Sequence, residues 1–310
     1  MNNYRVIIPG ALHHIYQRSV DGGLLFYSAG DYLAYYTIAM TRSRKHGVEL
    51  YGLSLMYDHV HAMVRASDAK TLARYVGDVN RTYTNMMNLE AGRKGPLFHK
   101  GYGCAPRIKL KDIRSSLIYL FNNQVEKRIC ETALESRWNF LAYYFSPNPY
   151  SKPLIMRHAS APMRKAVNVI KHMAERYEVL SPTWFRNQAL PLNPEERAQL
   201  IDLVITQYMS IDTQGAISLW DNKERMVEAI NSTTGKEFDI GEKVDRSVSD
   251  AIYPKIINLA LSSRIVEKPE QILSLAEEDK MRLARLISAR INAPSFQISK
   301  CLHLPYLAKH

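Results

Sequence analysis

At 310 residues the chain is long enough for two domains, and its 46% apolar and 23% charged content fits a globular protein rather than a fibrous or disordered one. A net charge of +11, with an isoelectric point near 9.4, favours a polyanionic partner. The longest apolar run, residues 32–40, is far too short for a membrane span, no signal-peptide pattern opens the chain, and Cys104, Cys130 and Cys301 have neither zinc-site spacing nor an even count, so a reducing cytoplasm and no membrane partner are expected.

Residues 11–20 read as a strand, followed by a turn at Gly22-Gly23. Asp31 can cap a helix through Lys45, which Gly47 stops. Two strands, 48–55 and 59–65, flank a turn at Tyr57-Asp58. Leu72, Tyr75, Val76, Val79, Tyr83 and Met86 recur at helical spacing over 72–89, with Gly92 ending the helix; these are core positions. Residues 97–108 can supply another strand, and Asp112 is a candidate N-cap for a helix over 113–128. The order β-α-β-β-α-β-α predicts an α+β fold, a ferredoxin-like antiparallel sheet with an added helix.

Four of the 14 prolines fall within residues 146–162, the best boundary between a first domain (1–150) and a second (151–310). Beyond it the pattern is all-helical, with amphipathic helices over 163–177, 194–210, 215–231, 248–262 and 277–290. The tail 277–310 resembles the first two helices of a helix-turn-helix, with only 305–310 left for a third. DNA binding by the tail and plain helix packing both remain open.

The motif that carries chemistry is His59-Val60-His61. Alternate strand residues share a face, so the two imidazoles point one way while Val60 turns into the core. Two such imidazoles can hold one divalent metal, or they can be unrelated histidines on an edge strand. On the helix over 113–128, Ile113, Leu117, Leu120, Phe121 and Gln124 form one mostly apolar stripe. Tyr119 falls about 150° from its centre, with Asn123 one turn later on nearly the same face. That placement fits a second packing surface, or a tyrosine nucleophile with an amide oxygen below it, both aimed at the histidines. A phenol of ordinary pKa near 10 is a weak nucleophile, and a metal that polarises the scissile phosphate assists it.

In order along the chain occur Pro9-Gly-Ala-Leu-His-His-Ile-Tyr-Gln-Arg18, Phe26, Asp31-Tyr32, Gly47-Val48, Leu55-Met56, His59-Val-His61, Gly95-Pro-Leu-Phe98 and Tyr119-Leu-Phe-Asn-Asn123. This set, with its gaps, resembles the REP-associated tyrosine transposases, relatives of the single-domain HUH transposases of insertion sequences, over roughly residues 4–150. The resemblance implies that His59 and His61 are metal ligands, Asn123 a third ligand and Tyr119 the nucleophile. It also matches His14 and Arg18 to the family's first strand, in a supporting or structural role. Tyr57-Asp58 stands where the family has Pro-Asn, and Gln124 where it has Pro. Asp58 thus adds a carboxylate beside the site, either supporting metal binding or serving the turn.

Residues 1–150 hold 19 Lys+Arg against 11 Asp+Glu, a net of +8, whereas the remainder holds 22 against 19, a net of +3. The excess clusters at Arg42, Arg44 and Lys45, at Arg93, Lys94 and Lys100, and at Arg107, Lys109, Lys111 and Arg114, near Tyr83, Phe98 and Tyr102. Basic groups with interleaved aromatics suit single-stranded nucleic acid, although each cluster also fits a solvated surface. The resemblance, taken with this charge pattern, implies a nucleoid-associated DNA transposase or endonuclease, dependent on Mg or Mn, that cuts and rejoins single-stranded or hairpin DNA through a 5′-phosphotyrosine. The alternative is a DNA-binding protein that keeps the fold without turnover. A monomer and a homodimer both fit.

Overall fold

The computed structural model describes residues 6–232 and 248–305. Its first half runs β1 (Leu12–Arg18), α1 (Ala29–His46), β2 (Glu49–Leu55), β3 (His59–Arg65), α2 (Ala69–Ala91), β4 (Gly103–Arg107) and α3 (Leu110–Glu126). The strands lie in the order β2-β3-β1-β4, all neighbours antiparallel. This is the ferredoxin-like sheet with an added helix that the element order predicts.

Local chemistry sets the helix boundaries. Ser28 caps α1: its hydroxyl accepts from the Asp31 amide, and the Asp31 carboxylate accepts from the Ser28 and Tyr27 amides at 2.9 and 2.7 Å. Asp31 is therefore the third residue of a capping box rather than the cap itself. Gly47 and Gly92 end α1 and α2 in the left-handed conformation, at φ 64° and 66°. The added helix begins at Leu110, so Asp112 lies in its first turn.

Cross-strand register sorts the side chains. Tyr16 pairs with His61 and Arg18 with His59, while Ser54 of β2 pairs with His61. Directly opposed residues share a face, so His14, Tyr16, Arg18, His59 and His61 project together. The other face carries Ile15, Gln17, Leu53, Val60 and Ala62 against Tyr35 of α1 and Tyr75, Val76 and Val79 of α2. Val60 thus enters the core, as the alternation predicts. The helix α3 crosses the histidine face: a Cβ added to Gly52 of β2 would lie 3.1 Å from Leu117 and 3.4 Å from Leu120.

The predicted strand over 97–108 is reduced to Gly103–Arg107. Phe98 still bridges Ser19, but the Gln17 side-chain amide donates to the carbonyls of His99 and Gly101 at 3.0 and 3.3 Å, taking acceptors a continuous ladder would use.

The second half is helical: α4 (Ala161–Glu175), α5 (Pro182–Ala189), α6 (Pro194–Tyr208), α7 (Thr213–Ile217), α8 (Lys223–Ser232), α9 (Tyr253–Ser262), α10 (Glu277–Arg290) and α11 (Ser295–Leu302). The single helix predicted over 215–231 is broken. The Arg114 guanidinium takes the Leu219 carbonyl at 2.5 Å, and Asn222 then recaps the chain by accepting from the Arg225 amide at 2.9 Å. Pro254 similarly delays the helix predicted over 248–262 to Tyr253, after one 3-10 turn. The helix α5 was not predicted, although Ser181 followed by Pro182 is a start signal. Residues 306–310, the end of the tail, lie outside the described residues.

These helices pack on the first half. The Tyr36 hydroxyl donates to the Ile205 carbonyl, and the Asp212 amide donates to Leu50 of β2, each at 2.8 Å. Among the described residues no helix is long and apolar enough to cross a membrane.

Candidate active site

Three imidazoles and one phenol meet where α3 crosses β1 and β3. The His14 and His61 rings stack with centroids 5.1 Å apart, and His59 stands edge-on to His61 at 4.9 Å. The Tyr119 ring packs edge-on against His61 at 5.4 Å and His14 at 5.9 Å. Tyr119 thus points at the histidines rather than into the stripe of Leu117, Leu120 and Phe121.

One nitrogen of each of the His59 and His61 rings has a partner. His59 Nδ1 lies 2.7 Å from Asp58 Oδ1, and His61 Nδ1 lies 3.0 Å from His14 Nε2. The other nitrogens, His59 Nε2 and His61 Nε2, are buried and have no hydrogen-bond partner among the described residues. Buried polar atoms are usually satisfied, and two bare imidazole nitrogens on adjacent rings leave room for a shared ligand. With Nδ1 protonated on both rings, both Nε2 lone pairs are bare, as metal ligation requires. That tautomer makes Asp58 and His14 the acceptors, the carboxylate–histidine arrangement typical behind a metal-bound imidazole. The donor set therefore fits a divalent ion.

The fit has limits in ligand number. Among the described residues no group of three or more His, Cys, Asp or Glu is placed to hold a metal. Asn123, the expected third ligand, is buried one turn beyond Tyr119, its amide nitrogen 3.5 Å from the Leu120 carbonyl. Asp58 faces Nδ1 of His59, so it stands on the side of the ring away from Nε2.

Electrostatics favour neutral rings at His14 and His61. Burial, with a contribution from Arg107, lowers the His14 pKa to about 3. His61 is pushed well below its ordinary value by burial first, then by His59, His14 and Arg18. Asp58 is raised by burial but held below the usual carboxylate range by His59 and Lys300. Arg18 and Arg107 thus act on the histidines from two ends of β1. The Arg18 guanidinium also lies over the Tyr16 ring at 5.5 Å. That ring occupies the space a Cβ at Gly103 would need, 1.9 Å from the nearest ring carbon, so any larger residue there would displace it.

The predicted basic residues divide. Arg107, Lys109 and Lys111 sit where β4 enters α3, the two lysines exposed. Lys94 and Lys100 are exposed in the loop before β4, where the Arg93 guanidinium donates to the Pro96 carbonyl at 3.2 Å. Arg114 is tied to the Leu219 carbonyl and lies 5.9 Å over the Trp220 ring. Arg42 and Lys45 converge on Asp78 of α2 at 3.4 and 3.0 Å, and Arg44 donates to the Met209 carbonyl. This last cluster belongs to the helices behind the sheet, away from the histidine face.

Sequence reasoning missed Lys300 of α11, whose Nζ lies 2.6 Å from Asp58 Oδ2. No local pattern marks it, since the contact joins segments far apart in the chain.

Residues 28–123 match the model of the IS200-like transposase family, a span running from the α1 cap to Asn123 and including His59, His61 and Tyr119. A solved structure of a REP-associated tyrosine transposase bound to a REP hairpin is similar at 13% identity, over 52% of this chain and 96% of that one, with a TM-score of 0.41. No curated protein matches the chain. The family resemblance read from the ordered motifs is borne out for the matched span.

Proposed function

We propose that this protein is a DNA strand transferase in which Tyr119 is the nucleophile and His59 and His61 hold a divalent metal through Nε2. The observation that carries the reading is the pair of buried Nε2 atoms, without a hydrogen-bond partner among the described residues, beside the Tyr119 ring. The Tyr119 oxygen attacks a backbone phosphorus, forming a 5′-phosphotyrosine as the bond to the 3′-oxygen breaks. The phenol loses its proton to solvent, the released 3′-oxygen takes one up, and resealing reverses the sequence. Mg or Mn, when bound, supplies the positive charge that polarises the phosphate. The amide oxygen of Asn123 would be a third ligand, and few protein ligands are usual for Mg. His14, neutral far below pH 7, positions His61 rather than delivering a proton. Arg18 and Arg107, with Lys109 and Lys111 at the α3 N-terminus, present positive charge to the DNA backbone.

One observation favours a second reading, a DNA-binding protein without turnover: Tyr119 is only 3% exposed. A phosphate reaches it only after the covering chain moves. The two readings separate in a cleavage assay on labelled single-stranded, hairpin and duplex versions of one sequence from the gene flanks. Transferase activity predicts metal-dependent cutting of the single strand or hairpin, absent from His59→Ala/His61→Ala. Binding without cutting in Mg or Mn supports the second reading, and equal cutting of duplex and single strand rejects the substrate assignment.

A further inference from the structure

We infer that Lys300 is a positioning residue for the candidate metal site, acting through Asp58 on His59. The inference rests on the metal reading above but concerns a part of the chain outside the matched span. Asp58 lies in the turn between β2 and β3, and each of its oxygens has one partner: Oδ1 faces His59 Nδ1 at 2.7 Å, and Oδ2 faces Lys300 Nζ at 2.6 Å. The backbone of the turn is already fixed, because the Asp58 carbonyl accepts from the Ser19 amide and the Tyr57 carbonyl from the Leu25 amide. What the backbone leaves open is the rotation of the carboxylate. The ammonium at Oδ2 closes that freedom and presents Oδ1 to the imidazole.

Lys300 is itself held. The Leu24 amide donates to its carbonyl at 3.3 Å, and the Tyr27 hydroxyl donates to the Cys301 carbonyl at 3.0 Å. Ile298, Cys301 and Leu302 are buried, which roots α11 in the core. The ion pair is mostly sheltered, with side-chain exposures of 22% for Lys300 and 19% for Asp58. A sheltered pair keeps its geometry far better than one in open solvent. The chain of contacts runs from α11 through two carboxylate oxygens to the nitrogen opposite the bare Nε2. A group that orients a ligating imidazole in this way sets both its tautomer and the aim of its lone pair.

The test uses the full-length chain and three variants: Lys300→Met, Lys300→Arg and Tyr27→Phe. The last removes a separate side-chain bond to α11 while leaving the ion pair. Mn²⁺ affinity is read by electron paramagnetic resonance, and the His59 tautomer by ¹⁵N NMR of the metal-free protein. Lys300→Met should weaken Mn²⁺ binding by about 10- to 100-fold, the range for groups behind a metal ligand. It should also turn a single Nδ1–H tautomer of His59 into a mixture. Lys300→Arg should restore both, and Tyr27→Phe should change neither. Wild-type tautomer and affinity in Lys300→Met would overturn the assignment, as would equal effects from Tyr27→Phe, which would trace the change to docking of α11. If wild type itself binds no Mn²⁺, the metal reading fails, while the tautomer measurement still decides whether Lys300 positions His59.

Discussion

If the two orphaned Nε2 atoms are a metal site, Mn²⁺ must stabilise the folded chain, because folding fixes the aim of two rings that the unfolded chain leaves free to rotate. At a free concentration of about 100 times Kd, the gain is about 2.7 kcal/mol. For a chain longer than 150–250 residues, each kcal/mol moves Tm by roughly 2 °C, so the expected rise is about 5 °C. The perturbation is His59→Ala/His61→Ala. It removes both ligands and also leaves Asp58 Oδ1 and His14 Nε2 without their partners. Each newly unpaired buried group costs about 1–3 kcal/mol, so the double variant starts from a lower Tm. The informative quantity is therefore the Mn²⁺-induced shift within each protein. Differential scanning calorimetry with EDTA and then with Mn²⁺ should give the rise in wild type and none in the double variant. An equal shift in both would show that the ion binds elsewhere and refute the assignment.

Acid should destabilise the metal-free protein through its buried histidines. His14 and His303 have folded pKa values lowered to about 3 and about 4, so below pH 6.5 the unfolded chain binds more protons than the folded one. Their contribution is complete above pH 6.5 and is lost as pH falls toward 4, at up to about 1.4 kcal/mol per pH unit for each. Urea melts in EDTA from pH 7.5 to 4.5 should show this slope, and His14→Gln should flatten it by about one proton; an unchanged slope contradicts the assigned neutral His14. The two basic groups should also separate. Arg18→Ala and Arg107→Ala should each weaken single-stranded DNA binding and reduce the salt slope by about 0.7, whereas Arg42→Ala, at a residue already paired with Asp78, should do neither. Titrations by fluorescence anisotropy at several salt concentrations check this, and the reverse pattern would move the DNA path to the α1 side.

Much of this was legible in the residues. The strand over 59–65 holds residue for residue, because alternation around His59-Val60-His61 is a short-range signal. Helix stops at Gly47 and Gly92 were equally local. Tyr119 was legible as anomalous, but the reason is tertiary. The amphipathic reading assumes one buried face, whereas α3 is buried continuously from Ser116 to Gln124. Its other side is covered by the second half, where the Asn122 amide donates to the Ile230 carbonyl at 2.7 Å. Charge clusters divide for a related reason. Arg42 and Lys45 look like a nucleic-acid patch until Asp78 of another helix is placed against them. Lys300 was invisible for the same cause, because an ion pair between distant segments leaves no periodicity.

The central claim, that Tyr119 becomes covalently joined to DNA, is tested most directly by trapping that bond. Wild-type protein and Tyr119→Phe would each be incubated with a labelled single-stranded or hairpin substrate and Mn²⁺, then denatured, digested and analysed by mass spectrometry. The substitution removes one hydroxyl and leaves the ring in place against His61 and His14, so DNA affinity should stay nearly unchanged. The account predicts a 5′-phosphotyrosine adduct on the peptide containing Tyr119 in wild type and none in Tyr119→Phe. An adduct that persists in the Phe variant, or maps to another tyrosine such as Tyr102, would contradict it.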